Sequence, residues 1–211
     1  FMLFVCIELA SLSSYILVAF HKESAAGGEA GMKYFIVGSV ASAIGIYGMS
    51  LLYLWNGDLS FDGLATAWAA TDGIDPLAGI GVGLMLVAFG FKVGAAPFHL
   101  AAPDAYSGAS SPVAGLLATA SKAMGFVAII RVLIGITLPV EGEAFWFIII
   151  ALISVITMTW GNLAALTSDN PKRMLAYSSV AHAGYMLAGL AAIGSGIASI
   201  AATKLILTAI V

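Results

Sequence analysis

Apolar residues run along this chain in blocks of about twenty, parted by short polar stretches, and each block has the length of a membrane-spanning helix. The first block is residues 1–20, with Glu8 as its one charge. A polar, glycine-rich stretch at 21–31 precedes a second predicted span at about 32–55. The loop at 56–76 carries Asp58, Asp62, Asp72 and Asp75, and its segment 61–70 predicts a short helix lying at the membrane interface. A third span starts near Leu77 and meets Pro97; a loop with Pro103, Gly108 and Pro112 separates it from a fourth at about 113–138. A turn with Glu141 and Glu143 leads to a fifth span at about 144–166, and a loop at 167–173 to a sixth at about 174–193. Gly194, Ser195 and Gly196 then turn into a partial seventh. The pattern predicts an all-α, polytopic transmembrane bundle forming a single membrane domain over 1–211. Because both ends fall in apolar runs, it reads as an internal piece of a longer protein.

Composition sharpens this picture. Hydrophobic residues make up 61% of the 211 positions and charged residues 9%, with a mean hydropathy of +1.05. A soluble domain is about 25% charged, so this chain lacks the polar surface of a soluble enzyme. It also lacks the basic face of a nucleic-acid binder. The single cysteine, Cys6, excludes a disulfide framework, an iron–sulfur cluster and a cysteine-based zinc site. Lysine and arginine collect on the cytoplasmic side of membrane proteins. Here Lys22 and Lys33 flank one loop and Lys172 and Arg173 lie in another, while the loops at 56–76 and 139–143 hold acids and no base. The predicted spans put the two basic loops on one side and the acidic loops on the other.

Four charges then stand out, because Glu8, Lys92, Lys122 and Lys204 fall near mid-span, where a charge costs roughly 2.5–3.5 kcal/mol. Such groups are kept with a partner, a water-filled cavity or a function; an acid–lysine pair that only holds two helices together is the plain alternative. Arg131 lies nearer a helix end, within reach of Glu141 or Glu143. The run Gly90-Phe91-Lys92-Val93-Gly94-Ala95-Ala96-Pro97-Phe98-His99 predicts a discontinuous helix, since proline removes a backbone hydrogen bond and clashes with the preceding turn. Broken helices at mid-membrane are an ion-handling device in transporters. A lysine there, facing an acid such as Glu8, can hold or release a proton according to where the acid stands. His99 and His182 are further candidates for proton relay.

Several motifs taken together resemble one family. Phe91-Lys92, Pro97-Phe98-His99, Pro103-Asp104-Ala105-Tyr106-Ser107-Gly108-Ala109, Pro112-Val113 and Ala118-Thr119-Ala120-Ser121-Lys122 are similar to the antiporter-like membrane subunits of respiratory complex I, in particular the subunit N (NADH dehydrogenase subunit 2) branch. Glu8-Leu9, Lys33-Tyr34 and the run from Ser168 to Tyr185 fit the same family. The chain departs from it at Ala101 and Ala102, where a tryptophan is frequent, and at Ser110 and Ser111, where a proline is frequent.

The resemblance implies family helices 5 to 10 and the start of 11, with the usual output lysine of helix 12 beyond Val211. It implies that Glu8 is the modulating acid of helix 5, Lys92 the lysine of the broken helix and Lys122 the lysine linking it onward. His99 is then the histidine beside the break, Lys33 a helix 6 lysine near Glu8, and His182 a helix 10 histidine. It further implies a proton-translocating subunit of an NADH:quinone oxidoreductase, in an energy-transducing membrane, either a prokaryotic plasma membrane or an organellar counterpart. Such a chain carries no cofactor or metal; NADH or another donor, FMN, iron–sulfur clusters and quinone belong to partner subunits. Partners are the other membrane-arm subunits, the lipid bilayer and protons, with no nucleic acid. Two alternatives remain at this point, a subunit of a multisubunit cation/proton antiporter and a non-pumping scaffold subunit.

Overall fold

A computed structural model describes residues 1–21, 23–137 and 145–194. Lys22, Glu141, Glu143, Lys204, the turn after Gly194 and the partial seventh span lie outside the described residues. Those described form helices α1 (Met2–Val18), α2 (Ala25–Asn56), α3 (Phe61–Ala69), α4 (Pro76–Val93), α5 (Ala102–Gly108), α6 (Ser111–Leu116), α7 (Lys122–Val132), α8 (Phe145–Leu166) and α9 (Pro171–Gly194). There is no strand among them. Two five-residue π-helical turns, Leu117–Ser121 and Leu133–Thr137, flank α7, the first joining α6 to it, so Ser111–Thr137 is one rod of 27 residues. This rod, α2, α4 and α8 are each long and apolar enough to cross a membrane. Helix α1 is an apolar helix of 17 residues, and α9 has 24.

The helix starts follow local chemistry. Ser24 caps α2 by accepting from the Gly27 N–H (3.1 Å), Ser60 caps α3 by accepting from the Gly63 N–H (3.1 Å), and Asp75 accepts from Leu77 and Ala78 ahead of α4. Pro76 takes the first turn of α4, where no donor is needed. Beside α3, outside the spans, hydrogen bonds from the Ser60 hydroxyl and backbone N–H hold the Asp58 carboxyl below its usual range. Leu64 and Trp68, four residues apart on α3, are buried, with Trp68 edge-on to Trp55 of α2.

Two expectations need correction. Helix α2 begins at Ala25 and not near Met32, so most of the predicted glycine-rich loop is helical. Small residues are the reason: a Cβ on Gly108 would come within 2.3 Å of the Ala30 Cβ, and one on Gly27 within 3.4 Å of the Gly108 carbonyl. That approach lets α5 support the early turns of α2. The predicted loop between the third and fourth spans also contains a helix, α5, with Pro103 inside its first turn.

The largest buried cluster joins α1, α2, α3, α4, α7, α8 and α9, including Phe89, Phe126, Leu52 and Leu133. Helices α8 and α9 form an antiparallel hairpin in backbone contact. A Cβ on Gly161 would lie 2.7 Å from the Ala181 nitrogen, and one on Gly184 2.8 Å from the Met158 nitrogen, the close approach that small residues permit between membrane helices. Ser154 donates across this seam to the Gly184 carbonyl (2.7 Å).

Candidate functional site

The break after α4 is made by glycine. Gly94 sits at φ +75° and ψ +36°; its N–H donates to the Phe91 carbonyl (3.1 Å) and that of Ala95 to the Gly90 carbonyl (2.8 Å). This is a Schellman ending, which needs the left-handed conformation that glycine adopts without strain. The helix therefore stops at Val93, four residues before Pro97, to which the sequence pattern assigned the break. The Ala96–Pro97 peptide is cis. The Ala96 N–H, freed by the break, donates to the Thr157 hydroxyl of α8 (3.0 Å), which in turn donates to the Ile153 carbonyl (2.6 Å). Thus the buried amide is satisfied by protein, as the membrane interior requires.

Lys92 lies in the last turn of α4 and is 7% exposed. Its ammonium donates to the Ser11 hydroxyl of α1 (2.9 Å). Glu8, one turn before Ser11, accepts a hydrogen bond from the Ser42 hydroxyl of α2 (2.7 Å). All four side chains face one cavity of about 10 Å³, the space of roughly a single water. Three helices therefore deliver an acid, a base and two hydroxyls to one point.

Lys122 is 4% exposed and follows directly on the π-helical turn Leu117–Ser121. Its ammonium donates to the Ser179 carbonyl of α9 (2.6 Å). It lies 3.7 Å from where a Cβ on Gly94 would stand, while a Cβ on Gly125, one turn further along α7, would lie 3.2 Å from the Lys92 Cγ. The two lysines thus flank the break. His99 is buried in the connection between α4 and α5, its ring 6.2 Å from that of Trp160, and its Nδ1 finds no hydrogen-bond partner among the described residues.

The other two candidates fall elsewhere. Lys33 pairs with Glu29 (2.6 Å) and Asp104 (3.4 Å). It lies nine residues, about 14 Å, along α2 from Ser42, so it is not beside Glu8. His182 is on the exposed face of α9 with its ring 5.7 Å from Tyr185. Asp104 also binds Arg173 (2.7 Å), and Lys172 donates to the Ala109 carbonyl at the end of α5 (3.1 Å). These contacts bring Lys33, Lys172 and Arg173 to one end of the bundle, as the charge distribution predicts. Lys33 and Arg173 line an open cavity of about 270 Å³ there. Sequence reasoning missed Ser11, Ser42 and Thr157. Ser11 carried a usable signal, lying three residues after Glu8 and so on the same helix face. The described residues contain no group of three or more His, Cys, Asp or Glu side chains placed to hold a metal ion.

A protein family described as "NADH:quinone oxidoreductase/Mrp antiporter, TM" matches residues 1–210. The chain belongs to that family. It is 40% identical over 191 residues to NADH-quinone oxidoreductase subunit N 2 of Koribacter versatilis, covering 90% of this chain and 38% of the relative. The chain thus spans about two fifths of that relative's length. Among solved structures, a chain of respiratory complex I from Thermus thermophilus with bound aureothin superposes with a TM-score of 0.74 at 38% identity, covering 90% of this chain and 40% of that one. A chain of the Mrp complex from Dietzia sp. DQ12-45-1b gives 0.80 at 27% identity, covering 89% and 34%. Family members are multi-pass membrane proteins, and this chain shares their helical architecture.

Proposed function

We propose that this chain is the proton-conducting part of a subunit N in a complex I-type NADH:quinone oxidoreductase. Protons move along Glu8, Lys92 and Lys122, with His99 beside the break, while electrons pass from NADH or another donor to quinone in partner subunits. FMN and iron–sulfur clusters belong to those partners, and this chain does no redox chemistry. Its setting is a bacterial plasma membrane or a related energy-transducing membrane, among other membrane-arm subunits. Within the family the chain corresponds to helices 5 to 10 and the start of 11, as one membrane domain.

The observation that carries the reading is the pair of buried lysines on either side of a helix break, with an acid facing the cavity of the first. A lysine ammonium in such a place has no bulk water to stabilise it, so small movements of a nearby carboxylate change how firmly it holds its proton. Lys33 and His182 have no part in this path as arranged here: the first belongs to the Asp104 cluster and the second faces outward. A cation/proton antiporter subunit is the competing reading, since the family includes the Mrp type. The 40% identity to a subunit N, against 27% to the Mrp chain, favours complex I.

The test uses the full-length subunit in its native complex, in sealed vesicles. Lys92→Met should lower quinone-linked electron transfer and lumen acidification together while the complex assembles normally. Wild-type rates of both would refute the reading and leave a scaffold role.

A further inference from the structure

The cavity between Glu8 and Lys92 contains a feature that an acid–lysine pair alone does not need. The two charges are not joined to each other: the described ion pairs include neither, and each has its own hydroxyl. The polarity of those hydroxyls is fixed by what they touch. Ser11 donates its hydrogen to the Ile7 carbonyl (2.7 Å), which can only accept. Toward the cavity Ser11 therefore offers lone pairs alone, and Lys92 donates to them. Ser42 donates its hydrogen to Glu8. One hydroxyl is thus set to accept from an ammonium and the other to donate to a carboxylate, so that each charge is satisfied while the pair stays apart. Because Ser11 has its only hydrogen committed to a backbone carbonyl, it cannot pass a proton onward. It positions Lys92.

From this geometry, and resting on the proton-path reading above, we propose that Ser11 and Ser42 are positioning residues that hold Glu8 and Lys92 in a separated arrangement. Without them the ammonium and carboxylate have each other as the nearest strong partners, and they close into a contact pair across the cavity. A closed pair keeps Lys92 from exchanging its proton with Lys122. The two serines therefore set the balance between an open pair that conducts and a closed pair that does not. The charged and titratable groups around Lys92 are Glu8 and Tyr15 on α1 and Lys122 on α7; α2 contributes Ser42 and no ionisable side chain to the cavity wall.

The experiment again uses the full-length subunit in its native complex, in sealed vesicles, and reads quinone-linked turnover and lumen acidification. Ser11→Ala should reduce both about tenfold, the scale of one hydrogen bond to a charged group. Ser11→Thr should restore them to within about twofold, because a threonine hydroxyl makes the same bond to the carbonyl four residues back. Ser14→Ala is the matched control: Ser14 is buried on the same helix and donates to the Ala10 carbonyl at 2.7 Å. It should behave as wild type. Ser42→Ala and Ser42→Thr should repeat the pattern of loss and rescue. Wild-type turnover in Ser11→Ala, with Lys92→Met defective, overturns this inference and leaves the proton path standing; wild-type turnover in both overturns the path as well. Equal losses in Ser11→Ala and Ser14→Ala, or failure of Ser11→Thr to rescue, make the serine merely structural and also overturn the inference. If the alanine variant does not assemble, Ser11→Cys decides, since it keeps the volume and replaces oxygen by a weak acceptor. Wild-type turnover there refutes the proposal, and a loss of about tenfold supports it.

Discussion

Replacing Thr157 by valine tests how the break is held. The side chain is fully buried, and its hydroxyl oxygen accepts the Ala96 N–H at 3.0 Å. Valine keeps the shape and removes that acceptor. Ala96 is itself only 2% exposed, and at membrane depth no bulk water replaces a lost partner. An orphaned buried amide costs about 1–3 kcal/mol, which is about 5- to 150-fold in the equilibrium for opening the 95–101 connection. Amide hydrogen exchange of Ala96, measured on the full-length subunit in its complex, reads this equilibrium directly. Thr159→Val is the internal comparison, since Thr159 also donates to the carbonyl four residues back (2.8 Å) but faces outward. The expected result is faster exchange at Ala96 in Thr157→Val, wild-type exchange in Thr159→Val, and restoration by Thr157→Ser. Exchange at Ala96 within twofold of wild type in Thr157→Val would refute the argument.

Three other substitutions probe neighbouring features. Gly94→Ala should destabilise the assembled subunit by about 1–2 kcal/mol, from the left-handed backbone alone, because the added methyl meets the Lys122 and Val180 side chains at ordinary contact distances; a thermal inactivation midpoint equal to wild type would contradict the Schellman ending. Asp104→Asn should leave the assembled complex within about 1 kcal/mol of wild type, since the Arg173 and Lys33 partners are 42% and 50% exposed and such pairs are screened by solvent. It should still speed amide exchange in α5 severalfold, with recovery in the charge-reversed pair Asp104→Arg and Arg173→Asp. The Asp58 carboxyl titrates below its usual range, so the support its hydrogen bonds give Ser60 is complete above the ordinary carboxylate value of about 4 and is lost as pH falls through the lowered folded value. Exchange of the first α3 amides should rise in that acid window, and Asp58→Asn should abolish the pH dependence.

Much of this was legible in the sequence because membrane helices obey few rules. Block length located the spans, the basic loops met at one end of the bundle, and the cost of a mid-membrane charge singled out Glu8, Lys92 and Lys122. One failure comes from close backbone approach by small residues. Gly27, Ala30 and Gly108 turn an apparent loop into the first turns of α2, and no hydropathy pattern reports such a contact. Pro97 looked like the cause of the break because proline is the stronger breaker in isolation, whereas Gly94 ends the helix first. Lys33 kept its motif position but not its expected neighbour, since a motif fixes order along the chain and leaves axial distance along a 32-residue helix to the fold.

The α8–α9 hairpin has no room for one additional methyl group where Gly161 and Gly184 meet the opposing backbone. From that hairpin Thr157 grips the first free amide after the break, and Ser179 supplies the carbonyl for Lys122. In the proposed proton path, α4 and α7 are thus both tied to one tightly packed hairpin. Because its helices have no room to slide past each other, the hairpin sets a fixed spacing between the Thr157 grip on the break and the Ser179 carbonyl under Lys122.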